Sequence, residues 1–537
     1  MNETAPGGDL PPGSGAEKIR ATLSSASLLA EPATRFPGRT AVVEGEHQVT
    51  YGQLWRQARE HASALRALGI SAGDRVALVA PNVLAFVRVY YAVQALGAVV
   101  VPVPLLLRPE EAAHLVSDSG AKLVVGHTAR LDLARGCSRL TGTPLALVGP
   151  RDDHPEPALD DRAEAVGSFV ARSPEDPAVI FYTSGTTGKP KGAVLTQLNM
   201  VMNATVNAFD ANDTGPGDRV LGCLPLFHVF GQTVSMNTTF RAGASLVLQP
   251  SFEPSRALEL IREHGITQFH GVPTMYSRLL EAAEPGLELP TLRLCVSGGA
   301  ALPVRVLERF EERFDTCVLE GYGLSETSPS ATVNQPALGT RAGTVGHPLW
   351  GTEVGIADPE AEGIELLPDG ETGEVVVRGH NVFAGYLNDP EATEAVLVDG
   401  WFRTGDIGRR DEDGFLSIVD RKKDLVIRNG YNVYPREVEE VLLDHPAVEQ
   451  VAVIGLPDEQ RGEEVCAVVV PADSVDTDQS VKDGIIDWSA RRLAAHKYPR
   501  RVSFVTELPL GPSHKVLKRE LRARLVARQD TTEDAQE

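Results

Sequence analysis

The run Tyr182-Thr-Ser-Gly-Thr-Thr-Gly-Lys-Pro-Lys-Gly192 restricts the architecture more than any other stretch. Three Gly and four hydroxyls in eleven residues leave almost nothing with which to pack a core. The preceding Ala178-Val-Ile-Phe181 is a short apolar run that reads as a buried strand. The chain must therefore hold this loop at a strand end, facing solvent or ligand. Its Gly residues let backbone N–H groups approach an anion closely. Thr183, Ser184, Thr186 and Thr187 add hydroxyl donors, and Lys189 and Lys191 add positive charge. The pattern suits a phosphate-gripping loop but not a Walker A loop: only Thr186 and Thr187 separate Gly185 from Gly188, and Pro190 follows Lys189. A flexible surface loop rich in Gly, Ser and Thr explains the same composition.

Strand and helix patterns alternate on both sides of this loop. Thr50 is a candidate cap for a helix in which Leu54, Ala58, Ala62, Leu65 and Leu68 recur at helical spacing, with Gly69 as its stop. Residues 74–79, 98–102 and 122–125 read as strands, and 86–96 as a helix. Beyond the loop, 199–209 reads as helix, and 219–224, 245–248, 268–272 and 293–297 as strands with helices between. This alternation predicts a parallel α/β sheet. From about residue 340 short alternating runs split by turns take over (374–378, 401–404, 415–419), predicting a β-rich subdomain. Asp420-Arg-Lys-Lys-Asp424 is a charged run that apolar packing cannot cover, and it reads as a hinge. Past it, 437–443, 451–454, 465–470 and 502–505 outline a small α+β domain. The expected organisation is a disordered tail over 1–18, a large domain over 19–419, a hinge at 420–424 and a small mobile domain over 425–537.

A chain of 537 residues is too long for a single core, which agrees with this division. Its net charge of −22 argues against nucleic-acid binding and against docking on an anionic membrane. The five cysteines, at 137, 223, 295, 317 and 466, are odd in number and lack C-x-x-C spacing. They fit buried thiols in a reducing compartment rather than a disulfide framework or zinc site. No secretory signal is legible, and the greasiest run is interrupted by Pro102 and Pro104. A cytoplasmic protein is expected.

Further constellations have both a bland and a chemical explanation. Ser297-Gly-Gly-Ala-Ala301 ends a strand; its Gly pair makes a tight turn or lets a flat ligand lie on the backbone. Glu320-Gly-Tyr-Gly-Leu-Ser-Glu326 sets an aromatic and an acid four residues apart, as a polar loop or a ligand site. Asp406 in Thr404-Gly-Asp406 suits a turn. His228, amid apolar residues, suits a satisfied core histidine.

In this order and spelling, the motifs resemble those of the adenylate-forming superfamily of acyl-CoA synthetases, peptide-synthetase adenylation domains and luciferases, over about residues 30 to 525. The resemblance implies that Thr183, Ser184, Gly185, Thr186, Thr187, Gly188 and Lys189 hold the β- and γ-phosphates of ATP. Gly298, Gly299 and Ala300 would flank the nucleotide. In the motif spanning Gly321, Tyr322, Gly323, Ser325 and Glu326, Tyr322 would stack near adenine and Glu326 would hold Mg²⁺; Ser325 stands where Thr is usual. Asp406 would accept hydrogen bonds from both ribose hydroxyls, with Arg421 as a second ribose contact. His228 would lie beside the substrate carboxylate, with Gly231 and residues 343–348 lining a pocket for a bulky apolar acid. Residues 428–435 resemble the segment lining the pantetheine tunnel, where Gly430 would let the thiol arm pass. Arg491, Arg492, Lys497, Arg500 and Arg501 are candidates for CoA phosphates or ordinary solvated charge. Lys515 matches the catalytic lysine of the C-terminal motif, but His514 replaces the usual preceding Gly.

These correspondences imply an acyl-CoA ligase acting on a small-molecule hydrophobic carboxylic acid, ATP and coenzyme A through an acyl-AMP intermediate. His514 raises an alternative: an enzyme that only thioesterifies a preformed acyl-adenylate, supplied by a separate adenylating enzyme. Loading of a carrier protein in trans, luciferase-type oxygenation and non-enzymic adenylate binding are further alternatives.

Overall fold

Local sequence signals start the first long helix. Thr50 accepts a hydrogen bond from Gln53 N, and the Gln53 side chain caps Thr50 N in return. The helix Tyr51–Ala67 then buries Leu54, Ala58, Ala62 and Leu65; Leu68 falls outside it and is exposed. Gly69 follows with φ +88°. The computed structural model describes residues 21–150, 156–159, 164–184, 189–458, 460–472, 475–509 and 516–533.

Four sheets organise these residues. In the seven-stranded sheet, Val99–Pro102, Arg75–Val79, Leu123–His127 and Leu145–Val148 run parallel, as the alternation predicts. Pro177–Ser184 joins them in parallel through Val179, but its other neighbour, Pro190–Thr196, returns antiparallel. The two described ends of the phosphate-loop motif thus lie on paired antiparallel strands, with Thr183 opposite Lys191 and Ser184 opposite Pro190. The nine-stranded sheet is parallel across Arg219–Gly222, Ser245–Leu248, Gln268–Gly271, Leu294–Ser297 and Cys317–Gly323. Ser297 lies level with Glu320 in that register. Both Gly-bearing motifs consequently leave the same carboxyl edge of the sheet, where open α/β folds place ligands.

The third sheet is the expected β-rich region, built from Thr352–Ala357, Thr372–Gly379, Trp401–Arg410 and Leu416–Arg421 with a short edge strand. The fourth belongs to the smaller domain. There Val448–Asp458 and Gly462–Pro471 pair antiparallel, and Val438, Leu442, Val453, Val465 and Ile485 build a separate core. Cys137, Cys223, Cys295 and Cys466 are buried free thiols, and Cys317 is half-buried. Among the described residues, no helix is long and apolar enough to cross a membrane.

Asp420 departs from the expected exposed pivot. It lies next to the end of the strand Leu416–Arg421 and is only 7% exposed. Its Oδ2 accepts from Arg436 N at 2.8 Å, at the start of the helix Pro435–Leu443, and Arg436 Nη1 donates to Ile418 O at 2.7 Å. A carboxylate at a helix N-terminus satisfies orphan N–H groups and favours the helix dipole. The segment therefore ties the smaller domain to the β-rich sheet, while Lys422 and Lys423 remain exposed.

Candidate active site

Two antiparallel strands supply the first group of functional side chains. Asp406 on Trp401–Arg410 pairs in register with Arg421, whose Nε lies 3.1 Å from Asp406 Oδ1. The Tyr322 hydroxyl donates to Asp406 Oδ2 at 2.7 Å. Asp406 is 3% exposed, so both oxygens are organised inside protein. The neighbouring carboxylate holds Arg421 above the ordinary guanidinium range, and burial pushes the Tyr322 phenol well above the usual tyrosine range. Arg421, expected at the ribose, lies against Asp406 Oδ1.

A second carboxylate sits where the strand Pro177–Ser184 meets the turn Ser325–Thr327. Glu326 Oε1 accepts from the Tyr386 hydroxyl at 2.9 Å and, more weakly, from Thr183 Oγ1 at 3.4 Å. Tyr386 reaches it because Gly385–Tyr386 forms the edge strand beside Pro190–Thr196. Lys191 lies 5.3 Å from the centre of the Tyr386 ring and 3.2 Å from Asp389 Oδ2. Its charge is thus partly engaged, whereas Lys189 is exposed. Among the described residues no cluster of three or more His, Cys, Asp or Glu could hold a metal. A single carboxylate beside a phosphate loop still suits Mg²⁺, which takes one or two carboxylates and completes its shell with phosphate oxygens and water.

A cavity opens beside Tyr322 and Ser325. Gly298 and Gly299 border it on one side, and Gly321, Gly323 and Ser325 on another; Ala300 is exposed beside it. Its walls include Phe230, Val234, Val296 and Val333, with Tyr322 shared between the cavity and the Asp406 cluster. His228 lines it as well, its Nδ1 accepting from Phe230 N at 3.3 Å. That bond leaves the hydrogen of a neutral ring on Nε2, a donor suited to a carboxylate oxygen.

Several expected positions lie outside the cavity lining or have protein partners. Gly231 does not line the cavity; a Cβ there would stand 2.3 Å from Pro225 O, so glycine is required for backbone packing. Residues 343–348 also lie outside its lining. Arg428 forms a buried ion pair with Glu464, Nε to Oε1 at 2.7 Å. Asn429 and Gly430, with φ +51° and +78°, make the two-residue turn between Val426–Arg428 and Tyr431–Val433. Lys497 pairs with Glu437 at 2.7 Å, and Arg492 and Arg500 lie over the rings of Trp488 and Tyr498. Gly185, Thr186, Thr187, Gly188, His514 and Lys515 lie outside the described residues.

Glu320 is absent from the expected set. It is 2% exposed and accepts from Leu302 N at 3.0 Å, and burial raises its carboxyl to about 7. Its position immediately before Gly321 was visible in the sequence; its burial was not.

Comparison with known proteins agrees with this geometry. The family model of AMP-binding enzymes matches residues 29–387, and that of the AMP-binding enzyme C-terminal domain matches 437–515. A feruloyl-CoA synthase of Amycolatopsis sp is 39% identical over 91% of this chain and 96% of its own. A long-chain-fatty-acid–CoA ligase of Bacillus subtilis is 36% identical over 92% of this chain and 93% of its own. The ATP-bound MatB structure from Rhodopseudomonas palustris superposes with a TM-score of 0.84 at 32% identity, covering 93% and 99% of the two chains. The chain belongs to the AMP-binding enzymes of the adenylate-forming superfamily. Within them it is an acid–thiol ligase of the AMP-forming, acyl-CoA synthetase type.

Proposed function

We propose that this chain joins a hydrophobic carboxylic acid to coenzyme A in two steps at one site. One observation carries the proposal: Tyr322 lines the apolar cavity while its hydroxyl holds Asp406. An acyl group in the cavity and a ribose at Asp406 would be joined across Tyr322, as in an acyl-adenylate. In the first step a carboxylate oxygen attacks the α-phosphorus of ATP, the α–β bridge breaks and pyrophosphate leaves. In the second the CoA thiol attacks the acyl carbon and AMP leaves.

The chain's contribution is mainly position and charge. Asp406 receives the ribose hydroxyls, and Gly298 and Gly299 flank the base. His228 Nε2 donates to the acid's carboxylate. Thr183, Ser184, Gly185, Thr186, Thr187, Gly188 and Lys189 grip the outer phosphates, and Lys515 offsets charge on the reacting phosphate. Glu326 would hold Mg²⁺, which neutralises phosphate charge when bound. Asp420 and its bond to Arg436 N mark the joint about which the smaller domain turns between steps, exposing the turn at Gly430 to the thiol arm.

Incubation with an acid panel, ATP, Mg²⁺ and CoA should yield acyl-CoA, AMP and pyrophosphate in equal amounts. ADP and phosphate as products, or no acyl-CoA with any acid, would overturn the proposal. His514, where the family motif has Gly, raises a second possibility, that the enzyme adenylates weakly or not at all and only thioesterifies a preformed acyl-adenylate. Comparing His514→Gly with wild type in the adenylation step separates the two.

A further inference from the structure

The cavity wall contains a chain of amide and hydroxyl groups whose orientation the backbone fixes. Asn203 Nδ2 donates to Ser330 O at 2.9 Å, and its Oδ1 accepts from Ser330 N at 3.3 Å. The Asn203 amide therefore has one consistent orientation. Asn207 Nδ2 faces two acceptors, Asn203 O at 2.8 Å and Asn203 Oδ1 at 3.0 Å, which fixes Asn207 in turn. Its Oδ1 must then receive the Ser330 hydroxyl, at 3.1 Å. Both Asn207 donors and the Ser330 hydroxyl hydrogen are consumed within the protein. Asn207 and Ser330 line the cavity, so what they offer there is lone pairs. On the Asn207–Ser330 side the pocket therefore presents an acceptor.

Ser297 is an independent sign of a polar ligand atom. It lines the cavity fully buried, and its Oγ has no hydrogen-bond partner among the described residues. An unpaired buried hydroxyl costs free energy that a ligand can recover. No Lys, Arg, Asp or Glu is among the described lining residues, so a second carboxylate or sulfonate on the acid would be desolvated without a counter-ion. Phe230, Val234 and Val296 suit the faces of a flat ring.

Resting on the ligase proposal, we infer that Asn207 and Ser330 select acids whose apolar body carries a hydrogen-bond donor, specifically aryl acids bearing a ring hydroxyl. The hydroxyl donates to Ser330 Oγ or Asn207 Oδ1. A methoxy group at the same position presents only lone pairs to lone pairs and is disfavoured relative to the unsubstituted ring.

The test compares 4-hydroxycinnamate, cinnamate and 4-methoxycinnamate, with octanoate as an acid lacking a ring. A neutral hydrogen bond predicts kcat/KM about tenfold higher for the hydroxy acid than for cinnamate, with the methoxy acid lowest. In Ser330→Ala the hydroxy-to-unsubstituted ratio should rise or fall by less than about twofold if Asn207 Oδ1 replaces the lost acceptor, and in the double variant Ser330→Ala/Asn207→Leu it should fall to about one. The three aryl groups are also titrated calorimetrically as non-hydrolysable acyl-sulfamoyl adenosines, which reads the same ratio without turnover. Equal affinities for hydroxy and unsubstituted analogues, or an unchanged ratio in the double variant, would overturn the inference. Failure of the ligase proposal would appear separately, as absence of acyl-CoA with all four acids.

Discussion

Asp406 is the position at which structure changes what a mutation should do. From its sequence motif alone, Asp406→Ala deletes a ribose acceptor and leaves the fold intact. The structure gives the carboxylate two protein partners as well, the Tyr322 hydroxyl at 2.7 Å and Arg421 Nε at 3.1 Å. A hydrogen bond to a charged group contributes about 1.5–3 kcal/mol, and neighbouring contributions are not additive. Asp406→Ala should therefore destabilise the large domain by about 2–4 kcal/mol, and its lost nucleotide affinity would be confounded with lost structure. Asp406→Asn confines the structural loss to the Arg421 contact. It retains the side-chain volume and one acceptor for Tyr322, but turns charge-assisted bonds to ribose into neutral ones. A loss of about 2 kcal/mol corresponds to about thirtyfold weaker AMP binding. Calorimetric AMP titration beside thermal unfolding of both variants is the assay. Unchanged AMP affinity in Asp406→Asn would refute the ribose assignment. Unchanged thermal stability in Asp406→Ala would refute the structural share given to Tyr322 and Arg421.

Two further outcomes follow from the buried carboxylates. Glu320 has its folded pKa raised to about 7 by burial, so its favourable contribution is fully present below its unfolded pKa and is lost as pH rises through about 7. Glu320→Gln, which keeps the acceptor for Leu302 N, should raise the unfolding temperature relative to wild type at pH 8, with the gain fading toward pH 5; a pH-independent difference would contradict the desolvated-acid account. Tyr386→Phe removes the hydroxyl 2.9 Å from Glu326 Oε1 and should raise the Mg²⁺ concentration for half-maximal activity by about tenfold; an unchanged Mg²⁺ dependence would exclude Tyr386 as the residue that orients Glu326.

What was legible in the sequence was local. The cap at Thr50 and the strand that ends at Ser297 depend on neighbours a few residues away, and they appear where the pattern placed them. The antiparallel return of the strand Pro190–Thr196 was not legible, because apolar runs do not state the direction of their partner strand. Nor was Tyr386, which lies 60 residues from Glu326 in the chain and reaches it through an edge strand. At Gly231 a small residue marks either an opening or a close approach, and the position of Pro225 O shows the close approach. Asp420 was read as exposed because its run is charged; the N-terminus of a distant helix covers it. The Asn203–Asn207–Ser330 chain needed both the helical spacing of the asparagines and a strand more than a hundred residues later.

The most direct test of two-step catalysis in this one chain is ATP–pyrophosphate exchange by the wild-type protein, with Mg²⁺ and 4-hydroxycinnamate and without CoA. Exchange that depends on the acid, followed by acyl-CoA formation once CoA is added, is the predicted result. No exchange, together with acyl-CoA formed readily from synthetic acyl-adenylate, would contradict it.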